Sequence, residues 1–173
     1  MKVDCLVVIL AVILCAHLAF VACDGGDDDD DVSGDLTWQN PPSDECMTWG
    51  EALEYCEKLS FDGHGDWRLP TISELRSLIR GCDATETGGS CGVTDNCLYS
   101  YCQDSSCYEC SFGEGPAGGC YWPSQLNGDC DWYYWSSSAV ADYGSLAWCV
   151  HFGFGYVSND VKGSYNFGVR CVR

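Results

Sequence analysis

The sequence predicts an α+β domain, two helices followed by a small antiparallel sheet, with a cysteine-rich segment set between them. Three observations carry this. Two capping boxes each open a run of apolar residues at helical spacing. The last third of the chain changes to a strand-like alternation. Between them, residues 82–130 hold eight cysteines but few aliphatic side chains.

Taken in order, the chain begins with an uncharged apolar run, residues 5–22, CLVVILAVILCAHLAFVA. Lys2 supplies a positive start, blunted by Asp4. The run is near the minimum length for a membrane span, so a retained anchor is the competing reading. It stops at Phe20-Val21-Ala22-Cys23, which resembles a lipobox, with Phe20 where Leu is usual. Residues 1–22 are therefore expected to be a lipoprotein signal peptide, and Cys23 the lipidated residue that anchors the chain to a membrane. Residues 23–35 contain five consecutive Asp and read as a solvated acidic tether, because like charges repel and cannot be buried. The expected location is extracytoplasmic, lipid-anchored in a bacterial cell envelope, with the leaflet open.

Residues 36–173 form the expected globular domain. Thr48 and Glu51 make the first capping box, and Trp49, Ala52, Leu53, Cys56 and Leu59 follow as one buried stripe. Thr71 and Glu74 make the second, with Ile72, Leu75, Leu78 and Ile79 as the apolar face and Gly81 as the stop. The connection between them, DGHGDWRLP, is rich in turn formers. Strands are expected over 146–154, 155–157 and 168–172, with Ser158-Asn159-Asp160 as a turn.

Cys5, Cys15 and Cys23 belong to the leader and anchor. The other twelve are Cys46, Cys56, Cys82, Cys91, Cys97, Cys102, Cys107, Cys110, Cys120, Cys130, Cys149 and Cys171. In an exported domain an even set reads as a disulfide framework of up to six bridges, with the connectivity open. The insert at 82–130 is expected to depend on such cross-links. A zinc knuckle at Cys102, Cys107 and Cys110 is the sharper alternative, weakened by the lack of a second spaced pair and of a nearby His. No βαβ pattern supports redox chemistry at Cys107 and Cys110.

The domain carries eighteen acidic against seven basic side chains, and the whole chain has a net charge of −18. Nucleic acid and sulfated glycans would be repelled; neutral sugars and cations would not. No metal site is assigned. Calcium is conceivable, yet no ligand loop is recognisable. No nucleophile–base pair, G-x-S-x-G, H-E-x-x-H or phosphate loop is present, so the chain is expected not to be an enzyme and no catalytic residue is named. His64 in its turn and His151 on its strand read as surface or core.

Several segments carry a family resemblance: LTWQNPP at 36–42, MTWGEALEYCEKL at 47–59, GDWRLPTISELRSLI at 65–79, YWSSS at 134–138, AWCVHF at 147–152 and VRCVR at 169–173. Together they resemble the Lcl C-terminal domain family of exported bacterial domains. The layout is also similar to formylglycine-generating enzymes and, with them, to the C-type-lectin-like superfamily. The resemblance implies a C-type-lectin-like fold with paired N- and C-terminal strands, and a Cys56–Cys171 bridge. The enzyme's chemistry needs a reactive cysteine pair holding copper. Cys149 and Cys171 are the only cysteines near the C-terminus, and the enzyme's RGGS-like segment is missing. Binding of sulfated glycans, known in the family through a basic surface, does not suit this acidic domain.

The expected function is a binding module for a glycan, or alternatively for an envelope protein. Trp122, Trp132 and Tyr133, at the edge of the insert, are the candidate stacking residues for sugar rings. Trp49, Trp67, Trp135 and Trp148 are expected in the core. Arg68 is expected to make a buried charge-assisted bond to Asp66 or to backbone carbonyls, and Glu74 to serve as the capping acid.

Overall fold

The structure, a computed structural model, describes residues 36–173. The expected signal peptide, Cys23 and the whole tether lie outside the described residues. The domain is α+β: helix α1 (Trp49–Lys58), a short helix α2 (Ile72–Arg76), two 3₁₀ turns (Ser100–Cys102 and Ser105–Tyr108), and strands β1 (Tyr133–Ala139), β2 (Leu146–His151) and β3 (Tyr156–Val161). The strands form one antiparallel sheet in the order β1-β2-β3.

Both capping acids act at their helices. Glu51 accepts from the Thr48 amide at 2.9 Å, and Glu74 accepts from the Thr71 amide at 2.8 Å. The second helix is shorter than expected. After Arg76 the bonds tighten to Leu78 N–H to Leu75 C=O and Ile79 N–H to Arg76 C=O, while the Ser77 hydroxyl takes the Glu74 carbonyl. Leu78 and Ile79 are buried nonetheless.

Strand β1 was not expected as a strand, because its buried positions include Ser136 and Ser138. Each serine is satisfied: Ser136 Oγ donates to the Trp148 carbonyl at 2.8 Å, and Ser138 Oγ accepts from the Ile72 amide at 3.0 Å. Ser158-Asn159-Asp160 lies within β3 and is not a turn; all three residues pair with β2. The expected strand at 168–172 is instead a line of isolated bridges. It runs between the N-terminal segment and β1, with Gln39 N–H to Cys171 C=O, Ser43 N–H to Val169 C=O and Gly168 N–H to Tyr133 C=O. The N- and C-terminal segments are thus paired.

The two sheet faces bury different cores. One carries Trp135, Ala147 and Cys149 against α1, Trp67 and the terminal segment. The other carries Tyr134, Trp148, Val150 and Val157 against α2 and the insert. Among the described residues five disulfides form, within the expected limit of six: Cys56–Cys171, Cys82–Cys110, Cys91–Cys107, Cys97–Cys102 and Cys120–Cys130. Cys46, exposed, and Cys149, enclosed in the α1-side core, are free. All eight cysteines of the insert pair among themselves, which occupies Cys102, Cys107 and Cys110 and removes the zinc-knuckle reading.

Two buried arginines join the insert to the rest. Arg76 donates to the carbonyls of Thr85, Glu86 and Val93. Arg170 donates to the carbonyls of Gln39 and Asn127 and lies over the rings of Trp122 and Tyr134. Neither has a carboxylate partner; carbonyl oxygens and ring faces compensate the charge.

Candidate functional site

The three candidate stacking residues have three different fates. Trp122 is only 3 % exposed. Its ring packs on Phe152 and Tyr134 at centroid distances of 5.3 and 6.0 Å, and the Arg170 guanidinium lies 5.2 Å from its centroid. Core aromatics and Arg170 surround the ring, so Trp122 cannot be the surface platform expected of it. Tyr133 is half-buried, stacked on Phe167 at 5.0 Å and edge-on to His151 at 4.7 Å. Burial, above all, pushes its phenol up to about 12. It packs on the α1-side face, whereas Trp132 lines a cleft with Tyr134, which belongs to the other face. Tyr133 and Trp132 therefore do not form one platform.

Trp132 remains. It is 51 % exposed and lines a cleft of about 290 Å³ between the 41–46 and 128–134 segments. Its neighbours there include Pro42, Asp44, Cys46, Asp129 and Tyr134. Asp129 organises the cleft. One of its carboxylate oxygens accepts the Trp132 indole N–H at 2.9 Å, the other accepts the Asp131 amide at 2.9 Å, and its carbonyl accepts the Tyr134 hydroxyl at 2.8 Å. The indole is thus both exposed and held in one orientation. Asn40 joins the two walls, accepting from the Asn127 amide at 2.8 Å and donating to the Gln125 carbonyl at 3.1 Å. Gly128 sits where an added Cβ would lie 2.7 Å from Pro42, so the walls meet at a point only glycine fits. Burial first, and then the Asp129 charge, raises the Cys46 thiol above its ordinary value.

The arrangement combines a fixed aromatic face, a carboxylate with acceptor capacity to spare, and a second carboxylate, Asp44, on the opposite wall. That suits a ligand with an apolar ring face and hydroxyl donors around its edge. A larger depression of about 430 Å³ runs along α1, lined by Glu51, Glu54, Tyr55, Lys58, Leu59 and Ser60. It is shallow and consists of one helix's solvent face. Asp44 and Asp129 were not singled out by sequence reasoning, and Cys46 only as a disulfide candidate, since only folding brings the 41–46 and 128–134 segments together.

The remaining expected residues are structural. Trp67 is buried, its indole donating to the Phe61 and His64 carbonyls. Arg68 does not make the buried bond expected of it. Its side chain is 48 % exposed and grips Glu74 with two bonds of 2.6 Å, while Asp66 pairs with Arg173 at 3.0 Å. The cause is local: the Arg68 backbone is bonded in both directions to Val172, which directs the side chain over the start of α2. Glu74 therefore caps the helix and holds Arg68 together. Trp49 is half-buried, with Lys162 over its ring, while Trp135 and Trp148 are fully buried. His64 is exposed in its turn; His151 is buried, its Nδ1 accepting the Gly153 amide at 3.2 Å. Among the described residues, no group of three or more His, Cys, Asp or Glu is placed to hold a metal.

The family model of the Lcl C-terminal domain matches residues 30–173. The chain belongs to the Lcl C-terminal domain family. In this Lcl C-terminal domain the Trp132 cleft lies where the insert rejoins β1, so one wall comes from an insert-bearing segment and the other from the N-terminal segment paired with the chain end. No curated protein matches the chain.

Proposed function

We propose that this Lcl C-terminal domain is a non-enzymatic binding module for neutral carbohydrate, displayed on a bacterial cell envelope by lipid attached to Cys23. The single observation that carries the reading is the exposed Trp132 indole locked by Asp129 inside a cleft that Asp44 also lines. A ring held in place loses little freedom on binding, so its stacking energy is retained. The acidic surface favours neutral over sulfated or phosphorylated glycans. The paired termini, two helices and small sheet fit a C-type-lectin-like fold, and the reading needs no cofactor; calcium enters only as a variable of the test.

The test is a glycan array probed with the chain as purified in detergent, with calcium and with chelator. Saturable binding to neutral glycans, abolished in Trp132→Ala and unchanged by chelator, is the expected result. Binding that survives Trp132→Ala, or no binding in either condition, would refute the reading.

A further inference from the structure

A second feature lies on the opposite sheet face, away from the Trp132 cleft. Tyr133 of β1, His151 of β2 and Tyr156 of β3 are in cross-strand register and form one row across the sheet. Phe154 extends it, stacked on Tyr156 at 4.7 Å and edge-on to His151 at 5.0 Å. The row continues into Tyr108, 5.2 Å from Tyr156, and Phe112, 4.8 Å from Phe154. At its other end Phe167 and Tyr165 follow Tyr133 at 5.0 and 6.0 Å. The ends are open: Tyr108 is 40 %, Phe112 52 % and Tyr165 49 % exposed. Tyr133, Phe154 and Tyr156 are half-buried between them. The α1-side core covers only part of this face.

Two carboxylates lie beside the row. Asp160 lies on β3 two positions from Ser158 and four from Tyr156, on the same side of the strand. Asp131 and Phe112 both pack against Gly153. The basic side chains of the domain are all engaged elsewhere: Lys58 with Glu54, Arg68 with Glu74, Arg173 with Asp66, Lys162 over Trp49, and Arg76, Arg80 and Arg170 on backbone carbonyls. Only three of the eighteen carboxylates are in ion pairs. Aromatic faces attract a guanidinium or ammonium, and carboxylates at the margin strengthen the attraction. Two copies of this face would bring like charges together, so self-association is disfavoured.

We propose that this aromatic row is a second docking face, taking an extended arginine-bearing segment of a partner protein by cation–π stacking flanked by Asp131 and Asp160. It is independent of the glycan reading, since it uses none of the cleft residues.

The experiment is fluorescence anisotropy of a labelled peptide of alternating Arg and Ser, titrated with the chain in detergent. Tyr156→Ala and Phe112→Ala are each expected to weaken binding roughly tenfold, the scale of a lost partly desolvated cation–π contact. The double variant Glu54→Gln/Glu57→Gln, which removes charge on α1, should change it by less than about twofold, as expected for screened distant charges. Trp132→Ala should leave it unchanged. Phe112 is exposed, so its variant reads the row even if Tyr156→Ala fails to fold. Equal affinity of Phe112→Ala and wild type would overturn the proposal. So would an equal loss in the α1 variant, which would mean general charge attraction only. Displacement of the peptide by a neutral glycan would overturn the independence of the two faces without touching the cleft reading.

Discussion

The scaffold and its insert are held by different means. The scaffold, residues 36–81 and 131–173, has the sheet, both helices and an aromatic core centred on Trp135 and Trp148, and needs one long-range bridge, Cys56–Cys171. The insert has two short 3₁₀ turns, four internal bridges, and a buried arginine reaching in from α2. It also depends on close backbone contacts: a Cβ at Gly115 would lie 2.1 Å from the Cys120 backbone, and one at Gly89 would lie 2.2 Å from the Asp83 carbonyl. Where apolar residues recur at the period of an element, burial fixes the chain. Where they do not, covalent links and buried donors fix it, and the buried cystines themselves join the core.

The contrast can be broken most severely where the two regions meet. Arg170→Ala leaves the Gln39 and Asn127 carbonyls without their donor and opens a hole between Trp122 and Tyr134. Denaturant unfolding should show a loss of about 3–5 kcal/mol, the scale of a large buried side chain removed together with the donor to two carbonyls. The next largest effect comes from paired cysteine removal. Cys56→Ala/Cys171→Ala should cost about 2–5 kcal/mol and lower amide protection throughout the sheet. Cys82→Ala/Cys110→Ala should instead raise hydrogen exchange mainly within the insert, leaving β1 and β2 protected.

A smaller effect, within the scaffold, depends on pH. Burial holds the His151 imidazole below its ordinary 6.5, so the unfolded chain takes up the proton first. The stability contributed by the neutral ring is present above 6.5 and is lost as pH falls toward the lower folded value. Burial alone would raise the Glu74 carboxyl, but the bonds from Arg68 and Thr71 outweigh it and hold it below its ordinary 4.5. That contribution is present above 4.5 and is lost as pH falls below it. His151→Phe should flatten the first part of the stability–pH curve; Arg68→Ala should flatten the second and cost about 1 kcal/mol or less at neutral pH, because the pair is partly exposed.

Much of the scaffold was legible. Thr48 with Glu51 and Thr71 with Glu74 announce their helices in four residues each, and the alternation from Leu146 announces β2. β1 was hidden because Ser136 and Ser138 look like solvent residues until their buried partners are known. The insert's pairing was illegible for a different reason: cysteine spacing does not encode which thiols meet. At the candidate site, Trp132 was legible as an aromatic at the insert's edge, but so was Trp122, which folds inward under Arg170. Nothing in the aromatic pattern distinguishes them. The difference lies in Asp129, which holds one indole outward, and in Arg170, more than forty positions away, which covers the other.

The most direct test of the cleft uses the thiol that lines it. Cys46 is exposed and Cys149 buried, so among the described residues a native sample should alkylate at Cys46 alone. A neutral glycan that occupies the cleft should slow this alkylation, and Trp132→Ala should remove the protection. A glycan that binds the chain yet leaves the Cys46 rate unchanged would contradict the account.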